Sequence, residues 1–328
     1  SLVGIVYFGG SGRCGIFPAS NLRPQQSALD RMPHPVATIV LAAGKGTRMN
    51  SDLPKVLHKI AGRSMIGHVL AALEPLRPER QVVVISPGQD DVAEAVAPAV
   101  TVIQRDAHGT GDAARAALGA LDGFIGTVLV AFGGDPMFTT ATLRKLTEAR
   151  EVDTPPDVVV LGFQTENPDR YGRLVQDADG RLDRIVEVSE AHTIDVPVRL
   201  YNAGIMAIDG AKLGGLLAAL TTDNAKGEYY LTDVPRIAIE RGGYVSVVEA
   251  PEIETMGVDS RADLARAEAV MQERLRAAVL EAGVTLVAPE TVFFCHDTVI
   301  GRDSIVHPNV TFGPGVSIGA RVEIKSFC

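Results

Sequence analysis

Cysteine is scarce in this sequence. Cys14, Cys295 and Cys328 are odd in number and show no paired metal-ligand spacing, which fits a reducing cytoplasm. Long apolar runs are missing too: nothing approaches the roughly 20 residues of a membrane helix, so no membrane association is expected. The apolar start, "SLVGIVYF", has no basic segment before it and does not read as a signal peptide. It also lacks an initiator Met, as a fragment would. Basic residues are in deficit, 31 Lys and Arg against 40 Asp and Glu, for a net charge of −9. Non-specific nucleic-acid binding needs the opposite balance, so any anion must be met by a local basic cluster. Neither a Ser-His-Asp nor a Cys-His set is evident, and the seven histidines lie in scattered contexts. His58 and His68 read as packing residues.

What is present is apolar bulk. The 328 residues are 46% hydrophobic, enough to bury a large core and to form two units. Residues 1–34 differ from the rest: Gly-rich, then Pro/Gln/Ser-rich, they read as a flexible leader. From Val36 strand and helix signals alternate: "VATIVLA", "MIGHVLAALEPL", "QVVVIS", "DDVAEAVA", "VTVIQ", "GDAARAALGAL" and "GTVLVAF". Continuous Val/Ile strands between helices predict a parallel sheet covered on both faces. Later, "YGRLVQDADGRLDRIVEV" reads as a hairpin turning at Asp179-Gly180. The expected units are an α/β domain over 35–259, a linker helix over 260–283 and a repeat segment over 284–328. The helix is signalled by apolar spacing at Leu264, Ala267, Met271, Leu275 and Ala278, a Ser260/Asp263 capping box and a stop at Gly283.

Beyond the helix the period changes. Ile300, Val306, Phe312, Ile318 and Ile324 recur every six residues, and Gly301, Gly313 and Gly319 follow three of them. Such hexads predict a parallel β-helix, with aliphatics stacked between coils and glycines relieving the corners. So few coils are too short to be stable alone, so a longer natural domain is expected beyond Cys328.

Two glycine-rich stretches invite a nucleotide. "GSGRCG", residues 10–15, matches G-x-G-x-x-G, with Asp30 near the distance of a ribose-binding acid. Pro18 and Pro24 follow where a helix must open, so it reads as flexible leader. "LAAGKGTRMN", residues 41–50, lies at a strand end but closes neither as a Walker A loop nor as a Rossmann fingerprint. Exposed backbone N–H groups beside Arg48 and Lys55 could cradle a triphosphate; a solvated basic turn explains the stretch equally well.

The sequence "LAAGKGTRMNSDLPKVLHKIAGRSMIGHV" resembles the sugar-nucleotide pyrophosphorylases, and within them the uridylyltransferase half of the bacterial bifunctional N-acetylglucosamine-1-phosphate uridylyltransferase/glucosamine-1-phosphate acetyltransferases. The resemblance continues through "QRDAHGTGDA", "YGRLV", "IVEVSEA", "YNAG", "DNAKGEYYLTD" and "GVDSR" into the hexads. It implies a Rossmann-like nucleotidyltransferase domain with a mixed, mainly parallel sheet, followed by the first coils of a left-handed parallel β-helix. It also implies a reaction, UTP plus N-acetylglucosamine 1-phosphate giving UDP-N-acetylglucosamine and pyrophosphate with Mg2+, and a homotrimer for the full-length protein. Acetyl transfer is expected to be absent, its coils lying beyond Cys328.

Carried over by motif, Leu41, Ala42, Ala43 and Gly44 line the nucleotide, while Arg48 and Lys55 hold its phosphates. Gln104 pairs with uracil, donating and accepting, beside the backbone of Gly109 and Thr110. Gly172, Glu187, Asn202 and Thr232 match the sugar-binding positions. Asn202 also suits a turn, and Glu187 a solvated hairpin charge.

The match fails at the metal. The family reads G-D-x-P where this chain has Gly133, Gly134, Asp135, Pro136, so the carboxylate is displaced by one residue. A one-residue slip in extended chain reverses a side chain's direction. The second ligand, Asn in the family, is Asp259, which could instead cap a helix. The expected metal residues are Asp259 with Asp135 or water. Asp112 stands where the family commonly has His. Two alternatives follow: a pyrophosphorylase for another sugar or nucleotide, and a metal-impaired nucleotide-sugar-binding protein.

Overall fold

The computed structural model describes residues 34–328 except 169–170, 178–180 and 195–197. The leader through Pro33, with "GSGRCG" and Cys14, and the hairpin turn at Asp179-Gly180 lie outside the described residues. In chain order the elements are β1 (Val36–Leu41), the two-strand ladder β2 (Lys59–Ile60) and β3 (Arg63–Ser64), α1 (Met65–Leu73), β4 (Arg80–Ile85), α2 (Asp90–Ala95), β5 (Val100–Ile103), α3 (Thr110–Ala116), β6 (Thr127–Phe132) and α4 (Thr140–Glu148). Then come β7 (Val158–Phe163), β8 (Arg173–Gln176), β9 (Leu182–Val186), β10 (Leu200–Asp209), α5 (Gly210–Ala218), α6 (Val234–Glu240), β11 (Val245–Glu249) and α7 (Arg261–Glu281).

The sheet has nine strands, seven of them in the order β11-β7-β10-β6-β1-β4-β5, with β8 on β10 and β9 on β8. Neighbours β4, β5 and β6 run parallel with β1, and β11 with β7. Strand β10 is antiparallel to β6 and β7, so the sheet is mixed but mainly parallel. Alternation along β1 explains its double burial. Ala37, Ile39 and Leu41 join one apolar cluster with α3, α5 and α6 residues, while Val36, Val40 and Ala42 join another with Ile66 and Val69 of α1 and Leu143 of α4.

The chain leaves β1 for β4 on one side and later returns to β6 on the other. That divergence opens a crevice beyond the carboxyl ends of β1 and β6, the usual place for a ligand in such a sheet.

Helix α7 starts as its cap signal predicts, the Ser260 hydroxyl accepting from the Asp263 N–H. It ends in a Schellman turn: Gly283 has φ 86°, Gly283 N–H donates to Leu280 C=O, and Val284 N–H donates to Val279 C=O. Its Leu264, Ala267 and Met271 pack with Ile60, Met65 and Met137, and its Leu275 and Val279 pack on the repeat core. The buried Gln272 amide donates to Phe294 C=O at 2.7 Å and accepts from Phe294 N–H at 2.8 Å, binding helix to repeats.

The repeats form short parallel ladders. β12 (Thr285–Leu286), β15 (Ile305–Val306) and β18 (Glu323–Ile324) make one; β13 (Val292–Phe293) with β16 (Val310–Thr311), and β14 (Val299–Ile300) with β17 (Ser317–Ile318), make the others. Ile300 pairs with Ile318 and Val306 with Ile324, so the hexad aliphatics stack three hexads apart, once per three-sided coil. Phe312 stacks on Phe294 at 5.2 Å. The corners differ from expectation. Left-handed φ falls every six residues at Asp303, Asn309, Gly315, Arg321 and Phe327, not at Gly301, Gly313 or Gly319. Gly301 is needed for another reason: a Cβ there would lie 2.5 Å from the Ala320 amide of the next coil.

Candidate active site

The loop after β1 is shaped by two left-handed residues, Gly46 at φ 60° and Asn50 at φ 47°. A Cβ on Gly46 would meet the Lys55 Cβ at 2.6 Å, so the glycine lets the loop press against the segment carrying that lysine. Met49 and Val56 are buried and anchor the loop and the following turn. Arg261, from the first turn of α7, ties both down. Its Nε donates to Met49 C=O at 3.1 Å, and its NH1 lies 3.3 Å from His58 Nδ1. Since arginine only donates, His58 Nδ1 accepts from it and is the unprotonated nitrogen of a neutral ring. Burial, and then the Arg261 charge, lower the His58 pKa. His58 and His68 are both buried, as packing residues should be.

Arg48 and Lys55 converge on one carboxylate. Lys55 Nζ lies 3.0 Å from Asp259 Oδ1, and Arg48 NH2 lies 3.1 Å from Asp259 Oδ2. Asp259 thus bridges the two cations, while Ser260 takes the capping role. Two positive groups held by one anion at a crevice mouth are a site where a more highly charged anion can displace it.

Beside them is a cavity of about 270 Å³. Leu41, Ala42, Ala43, Gly44, Gln104, Gly109 and Thr110, all expected from the sequence, line it together with Lys55. Lys45, Glu228 and Gly134 line it too. Lys45 stands between the two glycines of "GKGTR", a basic residue at the strand end that motif spacing alone does not assign to the wall. Gly109 has φ 106°, and a Cβ there would come 2.7 Å from Tyr229 C=O. Strain and a backbone clash therefore coincide. Gly109→Ala should push residues 228–229 away and weaken nucleotide binding about tenfold or more, at a cost of roughly 1–3 kcal/mol in stability. Titration of UTP and thermal unfolding would check both; unchanged affinity would contradict this account of the wall.

The sugar-side residues form a second group. Asn202 N–H donates to Gly172 C=O at 2.8 Å, and a Cβ on Gly172 would lie 3.5 Å from Val186 C=O, next to Glu187. Glu187 accepts from the Thr232 hydroxyl at 2.8 Å, so it is no free hairpin charge. Asn202 is also a turn former, its Oδ1 accepting from Gly204 N–H at 3.0 Å.

The Asp135 carboxylate lies beside Gly204 and Gly257. Cβ atoms built on Gly204 and Gly257 would lie 3.7 and 3.0 Å from its carboxylate oxygens, and no protein group among the described residues hydrogen-bonds them. A Cβ at Gly134, in contrast, would sit 2.6 Å from Lys55 Nζ. The lysine head fills the space left by the missing side chain. Burial pushes the Asp135 pKa up to about 7; Lys55 opposes the rise and Asp259 adds to it. Among the described residues, no group of three or more His, Cys, Asp or Glu side chains could hold a metal by itself.

One structural departure concerns the base. The Gln104 Nε2 donates to Asp112 Oδ2 at 2.9 Å and to Gly109 C=O at 3.1 Å. Both its hydrogens are used within the protein, and Oε1 has no donor among the described residues.

Residues 38–192 match the MobA-like NTP transferase domain family, and residues 297–328 match the bacterial transferase hexapeptide family of six repeats. The chain is 49% identical over 293 residues to bifunctional protein GlmU of Paramagnetospirillum magneticum, covering 89% of this chain and 65% of that protein. It is 52% identical over 267 residues to bifunctional protein GlmU of Rhodospirillum rubrum, covering 81% and 60%. Over about nine-tenths of its own length the chain is similar to GlmU proteins. It spans 60–65% of the length of these GlmU relatives. The inositol-1-phosphate CTP transferase of T. maritima shares the fold, with a TM-score of 0.58 at 17% identity, over 74% of this chain and 96% of that one. No helix among the described residues is long and apolar enough to cross a membrane.

Proposed function

We propose that this chain transfers a uridylyl group from UTP to N-acetylglucosamine 1-phosphate, giving UDP-N-acetylglucosamine and pyrophosphate. The observation that carries the reading is the convergence of Arg48 and Lys55 on Asp259 at the mouth of the cavity lined by residues 41–44 and Gln104. In this reading the base lies against Gln104, the ribose and α-phosphate along the Ala42–Gly44 backbone, and the outer phosphates between the two cations. Glu187, Asn202 and Thr232, near Gly172, hold the sugar through its hydroxyl and amide groups. A phosphate oxygen of the sugar ester attacks the α-phosphorus in line; a new P–O bond forms as the α–β bridging bond breaks, and pyrophosphate leaves with that electron pair. No side chain need take a proton, so positioning and charge neutralisation carry the catalysis. Lys55, the less exposed cation, steadies the charge on the reacting phosphoryl group.

Mg2+ belongs to this proposal through Asp135 and Asp259. The Asp135 carboxylate has no hydrogen-bond partner among the described residues and lies within electrostatic reach of Lys55 and Asp259. Two carboxylates with substrate phosphates and water are a usual magnesium set, so the donors fit an ion that arrives with the triphosphate. Bound there, magnesium would supply charge neutralisation to the phosphates. Triphosphate binding to Arg48 and Lys55 frees Asp259 for that role.

One observation favours a second reading, a nucleotide-sugar-binding protein with little turnover: Gly134 contributes no carboxylate and Lys55 stands in its place. A pyrophosphate-release assay with UTP and N-acetylglucosamine 1-phosphate, with and without magnesium, separates the two. Magnesium-dependent release is expected; binding of UDP-N-acetylglucosamine without release would favour the second reading. Cytoplasmic placement is part of the proposal and fits the free thiols of Cys295 and Cys328. So is trimer formation through the β-helix of the full-length protein.

A further inference from the structure

Gln104 follows β5 and has its backbone N–H on Ile85 C=O at 2.9 Å, which fixes where its side chain starts. The side chain is buried, at 7% exposure, and lines the cavity wall. Its Nε2 faces two groups that only accept, the Asp112 carboxylate and the Gly109 carbonyl. Rotating the amide by half a turn would set oxygen against oxygen at both contacts. The orientation therefore follows from the chemistry of the neighbours. Oε1 is left with no donor among the described residues, and it is the polar atom Gln104 has to offer a ligand.

We infer that Asp112 determines the base preference of the nucleotide site by locking Gln104 as a pure hydrogen-bond acceptor. The inference rests on the proposed function, which puts a nucleotide in this cavity. An acceptor suits a pyrimidine whose N3 carries hydrogen, as in uracil. Cytosine presents a lone pair at N3, and two acceptors would then face each other in a poorly hydrated place. Buried polar groups left unpaired in this way discriminate strongly between otherwise similar ligands. Asp112 does not touch the base; it is a positioning residue, in the first turn of α3. Neighbouring Arg115 does not compete for Gln104, because its guanidinium donates to Leu217 and Leu220 carbonyls and lies over the Tyr229 ring.

The test is calorimetric titration of UTP and of CTP, each with magnesium, into the wild type, Asp112→Ala and Asp112→Asn. Alanine suits a helix, so the first variant should fold. Wild type should bind UTP at least a hundredfold tighter than CTP. In Asp112→Ala, with one of two anchors gone, the ratio should fall about tenfold; in Asp112→Asn, whose amide oxygen still accepts, it should stay within about threefold of wild type. If UTP binds well and Asp112→Ala keeps the full ratio, the inference is overturned while the proposed function stands. If wild type binds neither nucleotide, both fail.

Discussion

Lys55→Met should lower the rate of pyrophosphate release about a hundred- to a thousandfold, the usual consequence of removing one preorganised charge from a transition state. Methionine keeps the unbranched, apolar part of the side chain, so the turn built on buried Val56 should persist. What is lost is the ammonium group 3.0 Å from Asp259 and packed over Gly134. Arg48 cannot replace it, because its side chain is 67% exposed and its charge is screened by water. The loss should appear in kcat with saturating UTP as well as in affinity, since the charge serves a phosphoryl group that becomes more negative during the displacement. The check is steady-state kinetics beside a melting curve. A loss below tenfold in a folded variant would remove Lys55 from the chemistry.

Asp135→Asn should combine two opposite effects. Activity with magnesium should fall about a hundredfold or more, because the slipped carboxylate is one of the two oxygen donors proposed for the ion. Stability at alkaline pH should rise. Burial pushes the Asp135 pKa from an ordinary 3.8 to about 7. Between those values the folded chain keeps a proton that the unfolded chain has released, so the group's contribution to stability is present at low pH and is lost as pH rises toward 7. Asparagine carries no such penalty. In chelator, the variant should melt several degrees above wild type at pH 8, and the difference should vanish as pH is lowered to 4. A variant that keeps full magnesium-dependent turnover would show that the carboxylate at 135 has no part in the site. A variant that melts below wild type at pH 8 would show that the charged carboxylate is well accommodated.

How much of this was legible in the sequence varies by element. The two-sided sheet could be read because Val and Ile runs have no polar alternate positions, and the β-helix because its period is six. The reversed direction of β10 left no local trace, since pairing between β6 and β7 is set by how the chain returns across the sheet. The repeat corners were misplaced for a related reason. Glycine is the residue one looks for where φ is positive, yet here Asp303, Asn309, Arg321 and Phe327 adopt it as well as Gly315, and of the three hexad glycines only Gly301 lies where the next coil approaches closely.

At the site, resemblance located the cavity wall and both cations. It could not show that Asp259 is shared by Arg48 and Lys55, or that Gln104 has both hydrogens engaged, because such pairings join residues far apart in sequence or depend on a rotamer. The displacement of Asp135 was visible as a spacing error. Its meaning needed the third dimension, where Lys55 fills the vacancy and the acid turns toward Gly204 and Gly257. Arg261, which fastens the loops bearing both cations, carried no signal beyond its place at the start of α7.

The central claim is that UTP occupies the crevice beyond β1 and β6 with its phosphates on Arg48 and Lys55. A crystal structure of the protein soaked with UTP and magnesium tests it most directly. The account predicts the base beside Gln104, the triphosphate between the two cations and Asp259 released from its ion pairs. A triphosphate bound elsewhere, or Asp259 still bridging Arg48 and Lys55 beneath an empty cavity, would contradict it.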